Sequence, residues 1–250
     1  IKPPSKLSLK NLNIEAAIKT RSIILFLGPL IHHFKKFRLP QAGGCKLGAR
    51  TVEPHLFALE NFGVNISSDK NSYITSVKKL RPSSFALYES GDTVTENALM
   101  AAALIPGRTE IRFASANYQV QELCFFLEAL GVGIEGLGST TLTVTGLKEI
   151  SKTIEYTLSE DPIESMFFIA VAAVTNSAIT IKRCPIDFLE LELLKLKKMK
   201  FRFTVSRIYK SANGRTKLVD IKTAPSKLMA LSEKIEARPY PGLNIDNLPF

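Results

Sequence analysis

Cys45 stands between Gly44 and Lys46, with Arg50 five residues further on. A thiol beside fixed cations can lose its proton more readily and become a reactive acid or nucleophile. Lys46 and Arg50 have a second use, because both hold phosphate or carboxylate oxygens, arginine with two parallel N–H groups and lysine as a point charge. Gly43, Gly44 and Gly48 surround the thiol with backbone that turns freely and lets a ligand approach closely. Residue chemistry alone leaves two readings of Cys45 open, a reactive thiol in an anion-binding loop and an inert cysteine in a turn.

The elements that must position this loop are two apolar helical runs, at 21–31 and 55–62. Thr51 is a candidate cap for the second, Glu53 falls in its first turn, and Pro54 fits there because an early helical N–H needs no partner. N–H groups at that helix start are expected to face an anion alongside Arg50. Gly28–Pro29 is expected to kink the first run.

The pattern recurs. LFALENFGVNI at 56–66, LCFFLEALGVGI at 123–134 and LELLKLKKMKFRF at 191–203 each read as an amphipathic helix, a turn and a strand. Gly63 and Gly131 take the position after the helix, where positive φ is tolerated, and Lys200 replaces glycine in the third copy at some cost. A second trio, at 22–39, 95–113 and 163–183, reads as nearly all-apolar helix, turn and strand, with helices buried on most sides. Further strands are expected at 71–75, 84–88, 140–145 and 153–158, and a tight hairpin at Asn213–Gly214. The polar stretch ending at Pro162 marks a domain change, giving domains at 1–158 and 159–250.

Composition narrows the classes. The 250 residues are 45% hydrophobic and 22% charged, which is ordinary for a globular chain. No apolar run reaches 18 residues, so no membrane helix is expected. Three widely spaced cysteines fit neither a disulfide framework nor a zinc pattern and point to a reducing, cytoplasmic setting. Nothing supports a metal site at His32 and His33. The net charge of +10 fits anionic small substrates; nucleic acid is the weaker option, because no aromatic ladder interleaves with the basic run 195–202.

GGCKLGARTVEPH at 43–55, LGPL at 27–30, TENALMAAAL at 95–104, FLEALG at 126–131 and the closing RPYPGLNIDNLPF resemble segments of the enolpyruvyl transferases. The resemblance covers nearly the whole chain and is closest to the branch acting on UDP-N-acetylglucosamine. It implies an inside-out α/β barrel of repeated βαβαββ units, incomplete at both ends. It also implies transfer of enolpyruvyl from phosphoenolpyruvate to the sugar 3-hydroxyl with release of phosphate, the first committed step of peptidoglycan synthesis, with no cofactor. By the same resemblance Cys45 is the general acid and the target of the epoxide fosfomycin. Arg21 and Arg50 hold the phosphate region, Val52, Glu53 and His55 lie along the nucleotide, and Asp246 accepts the hydroxyl proton. The chain departs from the family at Glu89–Thr93 (ESGDT), at Ser115–Gln119 (SANYQ) and at Lys200. Missing family segments at both ends imply an internal piece that is inactive by itself. Transfer to shikimate 3-phosphate and a non-catalytic anion- or RNA-binding repeat protein are the rival expectations.

Overall fold

The computed structural model describes residues 6–41, 43 and 51–249. They form two compact units, one of residues 1–115 and 119–153, the other of 116–118 and 154–250.

The first unit begins with α1 (Ile14–Lys19), a 3-10 helix (Arg21–Phe26) and α2 (Leu27–Leu30). The apolar run is thus broken at Thr20, and a 3-10 turn leads into the short helix holding Gly28–Pro29. Then come β1 (Lys36–Pro40), α3 (Glu53–Glu60), β2 (Val64–Ser68) and β3 (Ser72–Val77). They are followed by β4 (Ser84–Ala86), α4 (Asp92–Ala102), β5 (Gly107–Arg112), α5 (Tyr118–Ala129), β6 (Gly133–Glu135) and β7 (Thr141–Gly146). The second unit has α6 (Pro162–Val174), β8 (Thr180–Pro185), α7 (Glu190–Lys198), β9 (Arg202–Val205), β10 (Tyr209–Lys210) and β11 (Lys217–Ala224).

The repeat seen in the sequence is a repeat of topology. Three times a helix, strand, helix and further strands follow one another, and three times the last strand lies between two earlier ones: β1-β3-β2, β5-β7-β6 and β8-β11-β9, the third copy having the short β10 paired to β11 as well. These pairs are all antiparallel. The middle copy adds β4, parallel to β5. Positive φ recurs after the second helix of each copy, at Gly63 (90°), Gly131 (102°) and Lys200 (66°). At Gly63 a Cβ would lie 2.3 Å from the Lys79 carbonyl oxygen, so only glycine fits there. Lys200 adopts the same left-handed backbone against the cost carried by an L side chain.

The expected inside-out barrel is not found. Each sheet is an open ladder of three or four strands with free outer strands, and no sheet closes on itself among the described residues. Closure requires the first and last strands to pair at a matched tilt and stagger; here the last strand of each copy folds back into the middle, and the outermost strands of each sheet pair with no strand beyond them among the described residues. Residues 153–158 also fail to form the expected strand. They have no ladder partner, and the Thr157 carbonyl accepts instead from the Asn213 side chain at 3.1 Å.

The core of the first unit gathers around α4, whose Val94, Ala98, Leu99, Ala101 and Ala102 are fully buried. It packs on α3, α2 and the 3-10 helix. Small residues let these backbones approach, while Leu59, Phe62 and Leu99, each at 0% exposure, contribute about 1.5–3 kcal/mol apiece by leaving water. Cys124 is buried in this core, as its helical spacing predicts. Among the described residues no helix is long and apolar enough to cross a membrane.

Candidate functional site

Cys45 and Arg50, with Lys46, lie outside the described residues. What the structure shows is how the chain is held just after them, where it enters α3. Arg21, at the start of the 3-10 helix, donates from Nη2 to the Thr51 carbonyl at 2.8 Å. This fixes the far end of the cysteine segment where it enters α3. Thr51 Oγ1 accepts from Glu53 N at 2.9 Å, so the threonine caps the helix although Val52 is its formal N-cap. Pro54 has no N–H, and His55 N donates to the Val52 carbonyl at 3.0 Å. Two of the amide groups expected to face an anion, those of Glu53 and His55, are therefore engaged within the turn. Val52 is half-buried and Glu53 exposed at this corner.

His55 is 2% exposed, and its surroundings define its protonation. Asn97, fully buried in α4, accepts from Gly28 N at Oδ1 (2.9 Å) and donates from Nδ2 to the Ile24 carbonyl (2.9 Å). Those two backbone partners fix which end of the amide is oxygen. The second Nδ2 hydrogen points to His55 Nδ1 at 3.0 Å, so Nδ1 must be the bare acceptor. The proton sits on Nε2, which faces Thr93 Oγ1 at 3.4 Å. The ring is neutral: burial above all, and then the nearby Arg21 charge, push its pKa from an ordinary 6.5 down to about 4. His55 thus serves as a neutral strut that joins α3 to α4 beneath Val52 and Glu53.

Asn97 is the residue that periodicity missed. Its signal was a lone amide inside the apolar run TENALMAAAL. Gly28 belongs with it, since a Cβ there would come within 2.6 Å of the Asn97 carbonyl oxygen and 2.8 Å of Oδ1. The glycine reads as a helix breaker in sequence; in the fold it makes room for the amide.

The divergent segments 89–93 and 115–119 meet at the start of α4. Ser115 Oγ donates to Asp92, and Ser115 N donates to Thr95 Oγ1 at 2.9 Å. Thr95 Oγ1 in turn donates to the carbonyl of Gly91, the N-cap of this helix, at 2.8 Å. Burial, with the Asp92 charge adding to it, raises the Glu96 carboxyl to about 7.

Asp246 belongs to the second unit, in a 3-10 turn, Ile245–Asn247. Its N–H donates to Asn244 Oδ1 at 2.9 Å and its residue is exposed. Among the described residues no group of three His, Cys, Asp or Glu side chains is placed to hold a metal ion.

Comparison with known proteins gives these surroundings a context. The family model described as EPSP synthase (3-phosphoshikimate 1-carboxyvinyltransferase) matches residues 4–239. A UDP-N-acetylglucosamine 1-carboxyvinyltransferase of Treponema denticola is 35% identical over 236 residues, 93% of this chain and 53% of that protein. Its namesake in Thermodesulfovibrio yellowstonii is 34% identical over 211 residues, 83% of this chain and 51% of its own length. The protein of that name in Treponema pallidum is 40% identical over 167 residues, 67% of this chain and 39% of its own. The chain thus spans about half the length of the curated relatives it matches. Among solved structures, the enolpyruvyl transferase NikO from Streptomyces tendae superposes with a TM-score of 0.67 at 21% identity, over 90% of this chain and 52% of that one. An EPSP synthase from Acinetobacter baumannii gives 0.65 at 20% identity, over 92% and 52%. At such identities the structural likeness speaks for the fold.

Proposed function

The chain belongs to the EPSP synthase family of enolpyruvyl transferases, and from that premise we propose that its protein moves the enolpyruvyl group of phosphoenolpyruvate onto the 3-hydroxyl of UDP-N-acetylglucosamine and releases phosphate. The observation that carries the choice of acceptor is the shared name of the relatives at 34–40% identity. In this reading Cys45 protonates the alkene carbon of phosphoenolpyruvate while Asp246 takes the proton of the attacking hydroxyl. Loss of phosphate together with a proton from the newly formed methyl group then restores the alkene in the product. Both reactants are anionic, so Arg21 and Arg50 gather their charge, and Val52 and Glu53 lie along the nucleotide.

The bracing of Thr51 by Arg21 supports this reading, because it ties one cation to the end of the segment carrying Cys45 and Arg50. The neutral, fully engaged His55 ring supports a role in holding that corner, with any nucleotide contact made through the backbone around it. By the same reading the protein works in the cytoplasm, at the entry to peptidoglycan synthesis, and is a target of fosfomycin.

Transfer to shikimate 3-phosphate has one observation in its favour, the description of the family model. Phosphate release from phosphoenolpyruvate, measured on the complete protein with each acceptor in turn, separates the two. Turnover with UDP-N-acetylglucosamine and none with shikimate 3-phosphate is the expected result. The reverse preference overturns the proposal.

A further inference from the structure

We propose that Glu192 is a positioning residue for Asp246, acting through Asn247; the inference rests on the reading of Asp246 as proton acceptor given above. Glu192 stands three residues after Leu189 and four before Leu196, on the stripe of α7 that buries Leu189, Leu193 and Leu196. A carboxylate on an apolar stripe is costly unless it is hydrogen-bonded. Glu192 is 5% exposed, and its Oε1 accepts from Asn247 Nδ2 at 2.8 Å, across 55 residues of sequence.

The bond reaches the turn that presents Asp246. Ile245 and Leu248 are 58% and 40% exposed, so apolar burial at these two residues does little to hold it. Its fixed points are Leu243, at 6%, and Asn247, at 4%. Asn247 N donates to the Asn244 carbonyl at 3.1 Å and Leu248 N to that of Ile245 at 3.2 Å, bonds that shape the turn without attaching it to anything else. Attachment falls to the turn's packing against α6 and to the Asn247–Glu192 bond. Asn247 Oδ1 is buried with no hydrogen-bond partner among the described residues, so Nδ2 to Glu192 is the side chain's anchoring bond there. Asp246 is the exposed residue next to this pin, and its carboxylate is placed by where the pin sits.

The test compares Glu192→Leu, which removes the acceptor, with Glu192→Gln, whose amide oxygen keeps it, in the complete protein. Hydrogen exchange over residues 244–248 reports the turn, and steady-state phosphate release reports the reaction. Glu192→Leu is expected to speed exchange of the Asp246 and Leu248 amides at least tenfold. It should lower kcat about tenfold and change the KM for phosphoenolpyruvate less than twofold, while Glu192→Gln keeps most of both. Should Glu192→Leu fail to fold, Asn247→Ala removes the donor from the other side and is read identically. Wild-type exchange and kcat in the variant lacking the bond, or equal losses in Glu192→Gln, overturn the inference. Asp246→Asn is the separate control: full turnover there refutes the role given to Asp246, while the exchange data still decide whether Glu192 holds the turn.

Discussion

Replacing Asn97 by alanine strips three hydrogen bonds from the centre of the first unit at once. The Gly28 N–H, the Ile24 carbonyl and His55 Nδ1 each lose the partner that the amide supplies. Asn97 is fully buried, so water has no open path to replace it. A buried polar group left unpaired costs about 1–3 kcal/mol, which for three such groups puts the loss at about 3–9 kcal/mol, a large part of a domain's stability. Gly28→Ala attacks the same contact from the other side, because its new Cβ would fall 2.8 Å from Asn97 Oδ1, besides lying 2.6 Å from the backbone carbonyl oxygen that alanine at 97 retains. Overpacking of that kind costs about 1–3 kcal/mol. Urea unfolding at neutral pH, followed by far-ultraviolet circular dichroism, measures both. Each single variant should lower the midpoint without changing the slope. The double variant should lose at least 1 kcal/mol less than the two singles together, since they break one shared contact. A cost below about 1 kcal/mol for Asn97→Ala, or strict additivity, would refute the three-way bracing.

Two titrating groups, buried His55 and half-buried Glu96, should make stability respond to pH in opposite directions. His55 is held neutral with a folded pKa of about 4 against an ordinary 6.5, so its contribution is complete above 6.5 and is lost as pH falls towards 4, with a slope of up to about 1.4 kcal/mol per pH unit. Glu96 is raised from 4.5 to about 7, so its contribution is complete below 4.5 and is lost as pH rises through 7. With His32 also lowered by burial, urea midpoints between pH 4.5 and 7 should rise with pH more steeply in Glu96→Gln than in the wild type and less steeply in His55→Gln; parallel profiles in all three would contradict the assignment. Lys200→Gly should raise stability by about 1 kcal/mol, because φ of 66° is easy for glycine alone, and an unchanged or lower melting temperature would count against the strain.

The parts of the fold legible in the sequence were those carried by periodicity and by backbone chemistry. Apolar spacing located the helices at 56, 95, 123, 163 and 191 and the threefold recurrence, and the glycine rule placed the left-handed turns at 63 and 131. Sheet closure was not legible, because alternation in a strand names its buried face and says nothing of whether the outermost strands find partners. Residues 153–158 alternate as a strand should, yet strand formation needs a neighbouring ladder that the chain does not bring there. The site was legible only in part for a similar reason. Arg21 and Thr51 are 30 residues apart, Gly28 and Asn97 69, and Glu192 and Asn247 55. Local pattern reports the type of each residue, while its use depends on a partner that only the fold supplies. Asn97 and Glu192 break the apolar stripe on their helices, and such breaks are the signal a closer reading of the sequence would follow.

The proposed function requires the segment around Cys45 to handle phosphoenolpyruvate beside a bound nucleotide sugar. Mass-spectrometric mapping of thiol alkylation by fosfomycin tests it most directly, in the complete protein with UDP-N-acetylglucosamine, with shikimate 3-phosphate and with neither. Cys124 and Cys184 are at most 1% exposed, and burial raises both thiols, the first to about 12. The expected result is a single adduct, on Cys45, formed faster with UDP-N-acetylglucosamine and absent in Cys45→Ser. No adduct at Cys45, or one whose formation responds to shikimate 3-phosphate and not to the nucleotide sugar, would contradict it.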